Sequence, residues 1–270
     1  MRDRAETERE KPRPSRGKPA SSREKPDDGL KIAGLPAVTA LFERNPDLPQ
    51  RLFIDERLVP ETSELCRIMT ERHKLLRIVE TEELNRIAGT PLHGGILAVT
   101  SPRPPLPFDL QEARGWAKAG QPLLILDGVG NPHNLGAIAR TMAFFGMERL
   151  VISDHPGQAG ASEAAWRVAE GGLEYVKLHR AHNLPEMLHR LQAFYLVVGT
   201  ALGRGRPVEE LRRDTRPLAV VMGNEEHGLS PASAAACEDI LTIPGSGWIQ
   251  SLNVAATTAI LVHALAPKRL

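Results

Sequence analysis

The chain has only two cysteines in 270 residues, Cys66 and Cys237, and they stand far apart. No disulfide framework is expected, and this usage fits a reducing cytoplasm. Neither cysteine lies in a motif, so neither is expected to act as a nucleophile. No run of 18 apolar residues occurs, which excludes a membrane-spanning helix. The N-terminus is charged at once and lacks an apolar core segment, so it is not expected to be a secretory signal. There is no P-loop and no internal repeat. Net charge is nearly absent: 34 Lys and Arg face 33 Asp and Glu, giving +1. Any polyanionic partner must therefore be held by local patches and not by a global field. Two patches stand out, the first 29 residues and the group Arg204, Arg206, Arg212, Arg213 and Arg216. A solvated loop with scattered ion pairs is the plain reading of the arginine group.

What is present divides the chain. Residues 1–29 mix charges with Pro12, Pro14, Pro19 and Pro26 and hold almost no large apolar side chain. Such a segment cannot bury enough surface to offset ordering and is expected to be disordered. Residues 30–100 alternate short helical and strand patterns: helices at Pro36–Arg44, Ser63–Glu71 (with Ser63 as N-cap) and Glu82–Ala88, strands at Arg51–Ile54, Leu75–Val79 and Gly95–Val99. This describes a small α/β domain. Residues 101–120 open with four prolines in six residues, Pro102 to Pro107, and read as an extended linker, followed by a short helix near Asp109–Ala119. From residue 121 to 270 a second α/β domain is expected. Its strands read at Leu123–Leu126, Leu150–Ser153, Tyr175–Leu178, Phe194–Gly199, Leu218–Met222 and Ile240–Ile243. Helices fall between them, which implies a mostly parallel sheet covered on both faces. The final helix, Val254–Leu265, is apolar on nearly every side and belongs in a core or at a subunit interface. His179, His182 and His189 lack metal-ligand spacing and read as surface or half-buried residues.

Three polar clusters each follow an apolar strand. The first is Asn131-Pro132-His133-Asn134-Leu135-Gly136, with Arg140 six residues past Asn134. Asn134 reads as a helix cap, and Arg140 lies on a helix otherwise built from Ile138, Ala139, Met142, Ala143 and Phe144. An arginine there needs a partner or a wet cleft, and Glu225 is one candidate. The second cluster is Gly223-Asn224-Glu225-Glu226-His227-Gly228-Leu229-Ser230, where Gly223 ends a strand and allows close backbone approach to a ligand. The third runs from Ile243-Pro244-Gly245 to Ser251-Leu252-Asn253, with Ile243 and Leu252 able to flank a flat ring. Polar loops at the ends of successive strands are how an α/β domain builds a site.

These clusters resemble, in order and spacing, the three motifs of the SpoU (TrmH-like) branch of the SPOUT RNA methyltransferases. The pattern Asn, Gly, Arg falls on Asn134, Gly136 and Arg140; Gly-x-Glu-x-x-Gly-Leu falls on Gly223, Glu225, Gly228 and Leu229; Ile-Pro with Ser-Leu-Asn-Val falls on Ile243, Pro244 and Ser251–Val254. Gly245 stands where Met is common and Ala255 where Ser is common. Upstream, His93-Gly94-Gly95-Ile96-Leu97-Ala98 resembles the end of the small RNA-binding domain found before SpoU catalytic domains, with Gly94 where many relatives carry Gln. Ala161–Glu174, with Trp166 and Gly171-Gly172, is similar to a less studied subgroup. The resemblance implies S-adenosylmethionine as cofactor, a C-terminal trefoil-knotted parallel-sheet domain, a homodimer, and methylation of a ribose 2′-hydroxyl in rRNA or tRNA, with no DNA partner. By matched position, Gly223, Ile243 and Leu252 would bind the cofactor mainly through backbone. Asn134, Arg140, Glu225, Ser251 and Asn253 would form the catalytic face.

Two other readings fit parts of the pattern. A non-catalytic RNA-binding or ribosome-assembly protein would keep the fold, but intact Arg140, Gly223 and Asn253 argue against lost chemistry. Gly128-Val129-Gly130 after a strand suggests a dinucleotide fingerprint, yet the third glycine position is His133.

Overall fold

The computed structural model describes residues 29–203, 205–207, 210 and 215–265. The charged segment 1–28 and Arg204, Arg212 and Arg213 lie outside the described residues.

The first unit is a four-stranded mixed sheet. Its strands are β1 (Leu30–Ala33), β2 (Arg51–Asp55), β3 (Leu75–Val79) and β4 (Ile96–Thr100), in the order β1-β4-β2-β3. β2 and β3 are parallel, while β4 runs antiparallel to both β1 and β2. Helices α1 (Leu35–Arg44), α2 (Ser63–Glu71) and α3 (Thr81–Ala88) accompany it. Strand β1, beside the charged N-terminal segment, was not read from the sequence. Ser63 is not the N-cap of α2; Thr62 holds that place, with no side-chain capping bond.

The second unit is a seven-stranded, wholly parallel sheet. In chain order it comprises β5 (Leu106–Pro107), β6 (Leu123–Asp127), β7 (Arg149–Ile152), β8 (Lys177–Arg180), β9 (Leu196–Thr200), β10 (Leu218–Gly223) and β11 (Asp239–Leu241). Their spatial order is β11-β9-β10-β6-β7-β8-β5. The proline-rich linker thus contributes an edge strand, the place in a sheet where proline's missing donor does no harm. The expected strand at Tyr175–Leu178 is shifted: Gly172–Tyr175 forms a short helix and the strand begins at Lys177.

Alternation along the parallel strands separates two cores. Leu124, Leu126, Val220 and Met222 face one side, and Leu123, Ile125, Ala219 and Val221 the other. The first side is covered by α5 (Pro132–Phe144), α6 (Glu163–Ala169), α7 (Gly172–Tyr175) and α10 (Val254–Leu265). The second is covered by α4 (Leu110–Lys118), α8 (Leu184–Leu191) and α9 (Pro231–Ala235). The first core continues into the four-stranded unit through Ile32, Val38, Leu41 and Ile54. His179 on β8 is buried against Trp116 and Phe108, deeper than its sequence context suggests; His182 and His189 are exposed. Helix α10 buries Val254, Thr258, Leu261 and Val262 but leaves Ile260 42% exposed, so within one chain it is covered on one side and not all round. Among the described residues, no helix is long and apolar enough to cross a membrane.

Candidate active site at the carboxyl ends of the parallel strands

From β6 the chain proceeds through α5 to β7 on one flank, while β10 lies on the other. The carboxyl ends of β6 and β10 are thus the topological switch point, where an open α/β sheet offers its crevice. All three polar loops arrive here.

After β6, Asp127 is followed by Gly128–Asn131. Gln158 pins this turn, accepting from Gly128 N–H at 2.9 Å and Val129 N–H at 3.1 Å and donating to Val129 O at 3.0 Å. Asn131, not Asn134, is the N-cap of α5: its side chain accepts from His133 N–H at 2.9 Å, and Pro132 opens the helix. Asn134 therefore lies in the first turn, buried, with its amide free for other partners.

Those partners come from the other two loops. Asn134 Nδ2 donates to Glu225 Oε1 at 2.6 Å, and Asn134 Oδ1 accepts from Asn253 Nδ2 at 3.1 Å. One buried amide joins residues 91 and 119 positions away. Asn253 also caps α10, accepting from Ala255 N–H at 2.8 Å. The second loop is closed on itself by paired bonds between Asn224 and Gly228, each 2.9 Å. Asn224 Nδ2 ties it to Gly128 O at 2.9 Å, and Asn224 Oδ1 accepts from the N–H groups of Glu226 and His227.

This hairpin explains Gly223. A Cβ there would lie 2.1 Å from Gly228 C and 2.3 Å from Leu229 N. The glycine is required by the loop's own return path. Gly136 is likewise a packing residue: a Cβ would sit 2.5 Å from Ala165 O on α6.

Arg140 departs from expectation. It lies about 9 Å along α5 from Asn134, on the exposed side, and its Nη2 is 2.8 Å from Glu170 Oε2, not from Glu225. Nε and Nη1 form no hydrogen bond among the described residues. The third loop is open. Ser251 is exposed, Leu252 is 51% exposed, and Ile243 is half-buried against the main core. Within residues 244–252, Trp248 N–H to Ser246 Oγ is the one hydrogen bond donated by backbone among the described residues. Trp248 and Ile249 are almost fully exposed.

The structure thus brings together Asn134, Glu225 and Asn253, sets Gly223, Ser251, Leu252 and Ile243 on the adjoining loops, and holds Arg140 apart. Asn224, Gln158 and Glu170 were missed, because nothing in local spacing reveals a bond to a loop tens of residues away. Cys237 is no nucleophile: burial pushes its thiol up to about 12. No cluster of metal-ligating side chains occurs among the described residues. Of the arginine patch, Arg206 lies 3.7 Å from Asp239 and Arg216 3.1 Å from Glu238, the plain ion-pair reading.

Comparison with known proteins identifies the family. The SpoU rRNA Methylase family matches residues 121–263, and the RNA 2′-O ribose methyltransferase substrate-binding family matches residues 31–106. The chain is 34% identical over 238 residues to the 23S rRNA (guanosine-2′-O-)-methyltransferase RlmB of Escherichia coli K12, covering 85% of this chain and 94% of that protein. It is 30% identical over 233 residues to an uncharacterized tRNA/rRNA methyltransferase, YfiF, of Escherichia coli O157:H7, covering 86% of this chain and 66% of that longer protein. Among solved structures, a putative TrmH-family RNA methyltransferase from Porphyromonas gingivalis superposes with a TM-score of 0.65 at 26% identity, covering 87% of this chain and 88% of that one. An AdoMet-bound rRNA methyltransferase from Sinorhizobium meliloti shares the fold, with a TM-score of 0.71 at 22% identity over 87% of this chain and 85% of that one. With its three motif loops gathered at one switch point and a substrate-binding unit ahead of them, the chain belongs to the SpoU rRNA methylase family of RNA 2′-O ribose methyltransferases.

Proposed function

We propose that this protein transfers the methyl group of S-adenosylmethionine to a ribose 2′-hydroxyl of rRNA or tRNA in the cytoplasm. The observation that carries the reading is Asn134, whose one side chain ties Glu225 and Asn253 to the first motif. Relatives named as 23S rRNA (guanosine-2′-O-)-methyltransferases support it.

The loops fit the cofactor. Among the described residues, backbone groups of residues 244–252 are largely unspent and Leu252 is exposed, so polar edges and an apolar face are both available to a purine ring. Gly223, Ile243 and Leu252 would hold it. When bound, the cofactor supplies an electrophilic methyl group on sulfonium sulfur. The chain's own task is to place the ribose hydroxyl in line and to stabilise the charge that develops on its oxygen. Arg140 suits that task with two unspent guanidinium nitrogens. Guanidinium stays protonated in proteins, so Arg140 holds an RNA phosphate or the developing oxyanion and does not act as the base. The hydroxyl proton passes to a phosphate oxygen, a water or another polar group. Asn134, Glu225, Ser251 and Asn253 fix the surrounding face, and positioning supplies much of the rate gain.

Residues 30–100 serve as the RNA-binding unit, 101–120 as linker and 121–270 as catalytic domain, with the family's trefoil knot at its C-terminal end. The uncovered side of α10, with Ile260, supports a homodimer built around that helix. Mapping 2′-O-methyl sites in total RNA with and without the gene tests the activity: at least one ribose should lose its methyl group in the deletion. An unchanged map, with no labelled methyl transferred in vitro, overturns the reading.

A further inference from the structure

Between α6 and α7 the chain turns through two residues, Glu170-Gly171, and Gly172 opens α7. Glu170 is one of three non-glycine residues with positive φ among the described residues, at φ 44° and ψ 47°. A residue with a Cβ adopts that conformation at a cost, so surrounding structure must impose it. The surroundings are the two units of the molecule. A Cβ on Gly171 would lie 2.7 Å from Ala40 Cβ and 3.1 Å from Pro36 O, both on α1 of the substrate-binding unit. A Cβ on Gly172 would lie 2.8 Å from Cα of Arg140 and 2.9 Å from Ala139 O on α5. The turn is a wedge with one face on the RNA-binding unit and the other on the backbone of the arginine itself.

The bonds around the wedge make the joint stiff. Glu174, one turn on, has a fully buried carboxylate that accepts from Asn45 Nδ2 at 2.8 Å, just past α1, and from Arg103 Nη1 at 2.5 Å in the linker. Arg103 in turn lies over the Trp166 ring of α6, 4.6 Å from its centroid. Tyr175 OH donates to Glu43 Oε2 at 3.0 Å. Glu170, Arg167, Gly34, Pro36, Leu92 and Gly94 line a small cleft between the two units.

Resting on the methyltransferase reading above, we propose that Glu170 is a positioning residue for Arg140, and that the turn it begins transmits the placement of the RNA-binding unit to that arginine. Glu170 Oε2 engages Nη2 of Arg140 and leaves the other guanidinium nitrogens for RNA. The arginine stands on an exposed helix face and has four side-chain torsions to order; a carboxylate held at the turn between the two units restricts it before substrate arrives. This pair is 58% and 45% exposed and so contributes little to folding.

The test is a double-mutant cycle with Glu170→Gln and Arg140→Ala, read by single-turnover transfer of labelled methyl to total RNA from cells lacking the gene. Glu170→Gln keeps the shape and removes the charge. It should lower the transfer rate about 10- to 100-fold, with RNA half-saturation and S-adenosylmethionine affinity within about twofold and melting temperature within about 2 °C. In the Arg140→Ala background it should lower the rate no further. A normal rate for Glu170→Gln, or an equal loss in both backgrounds, overturns the inference while leaving the activity itself standing. Full turnover in Arg140→Ala overturns the assignment of Arg140 and this inference together.

Discussion

Replacing Asn134 separates the proposed site from an ordinary buried amide. Asn134→Ala deletes a hydrogen bond to a carboxylate at 2.6 Å and an amide–amide bond at 3.1 Å. Taken alone these are worth about 1.5–3 and 0.5–1.5 kcal/mol. Glu225 and Asn253 are both exposed and regain water when their partner goes. The net stability cost should therefore be about 1 kcal/mol, or about 2–4 °C in melting temperature for a chain of this size. Catalysis should suffer far more. The two loops lose their common anchor, and misplacement of this kind costs roughly 100-fold. Asn134→Asp sharpens the test. It sets a carboxylate against that of Glu225, and like charges near 4 Å repel by about 4 kcal/mol near a protein surface before salt screening. This variant should be slower than Asn134→Ala. Repulsion raises the pKa of one of the two carboxyls, so the added defect should shrink as pH falls through that value and grow as pH rises. Single-turnover methyl transfer, calorimetric cofactor binding and thermal melts provide the three readouts. If Asn134→Ala retains turnover within threefold of wild type, or if Asn134→Asp matches wild type at neutral pH, the reasoning fails.

Arg140→Ala should lower transfer about 100- to 1000-fold while leaving S-adenosylmethionine affinity within a few fold; equal loss of both in binding and rate measurements would place the arginine on the cofactor side. Gly223→Val should abolish cofactor binding, because a side chain there collides with Gly228 and Leu229 and forces the hairpin open; normal calorimetric binding by a folded variant removes loop 223–229 from the cofactor site. Ile260→Asp places a charge on an already exposed position of α10, so chain folding should persist while assembly and activity fall together; light scattering that shows an active wild-type monomer near 29.5 kDa refutes the dimer. Burial holds the His179 imidazole below the usual histidine range. The unfolded chain takes up that proton near pH 6.5 while the folded one resists, so this contribution to stability is complete above that pH and is lost as pH falls. His179→Phe should flatten the acid limb of melting temperature against pH, and parallel profiles would disprove it.

Much of this protein is written locally. Apolar runs such as Leu123–Leu126 and Leu218–Met222 announce buried parallel strands, because burial on both faces demands continuous hydrophobicity. The three polar loops are legible for the same reason, since each follows such a run and opens a helix. Of the elements of two to four residues, β7 and β11 were legible, whereas β1 beside the charged segment, β5 among prolines and α7, whose Tyr175 reads as strand, were not. Partnership was illegible too. The sequence placed Asn134 and Arg140 on one helix but carried no measure of which loop would meet each side chain. That was decided by the strand order β11-β9-β10-β6, which delivers Glu225 and Asn253 to Asn134, and by the packing of α6 and α7 against α5, which delivers Glu170 to Arg140. Periodicity records which face of an element is buried; only the closed tertiary fold brings together side chains 30 to 119 residues apart, because their meeting depends on every intervening element at once.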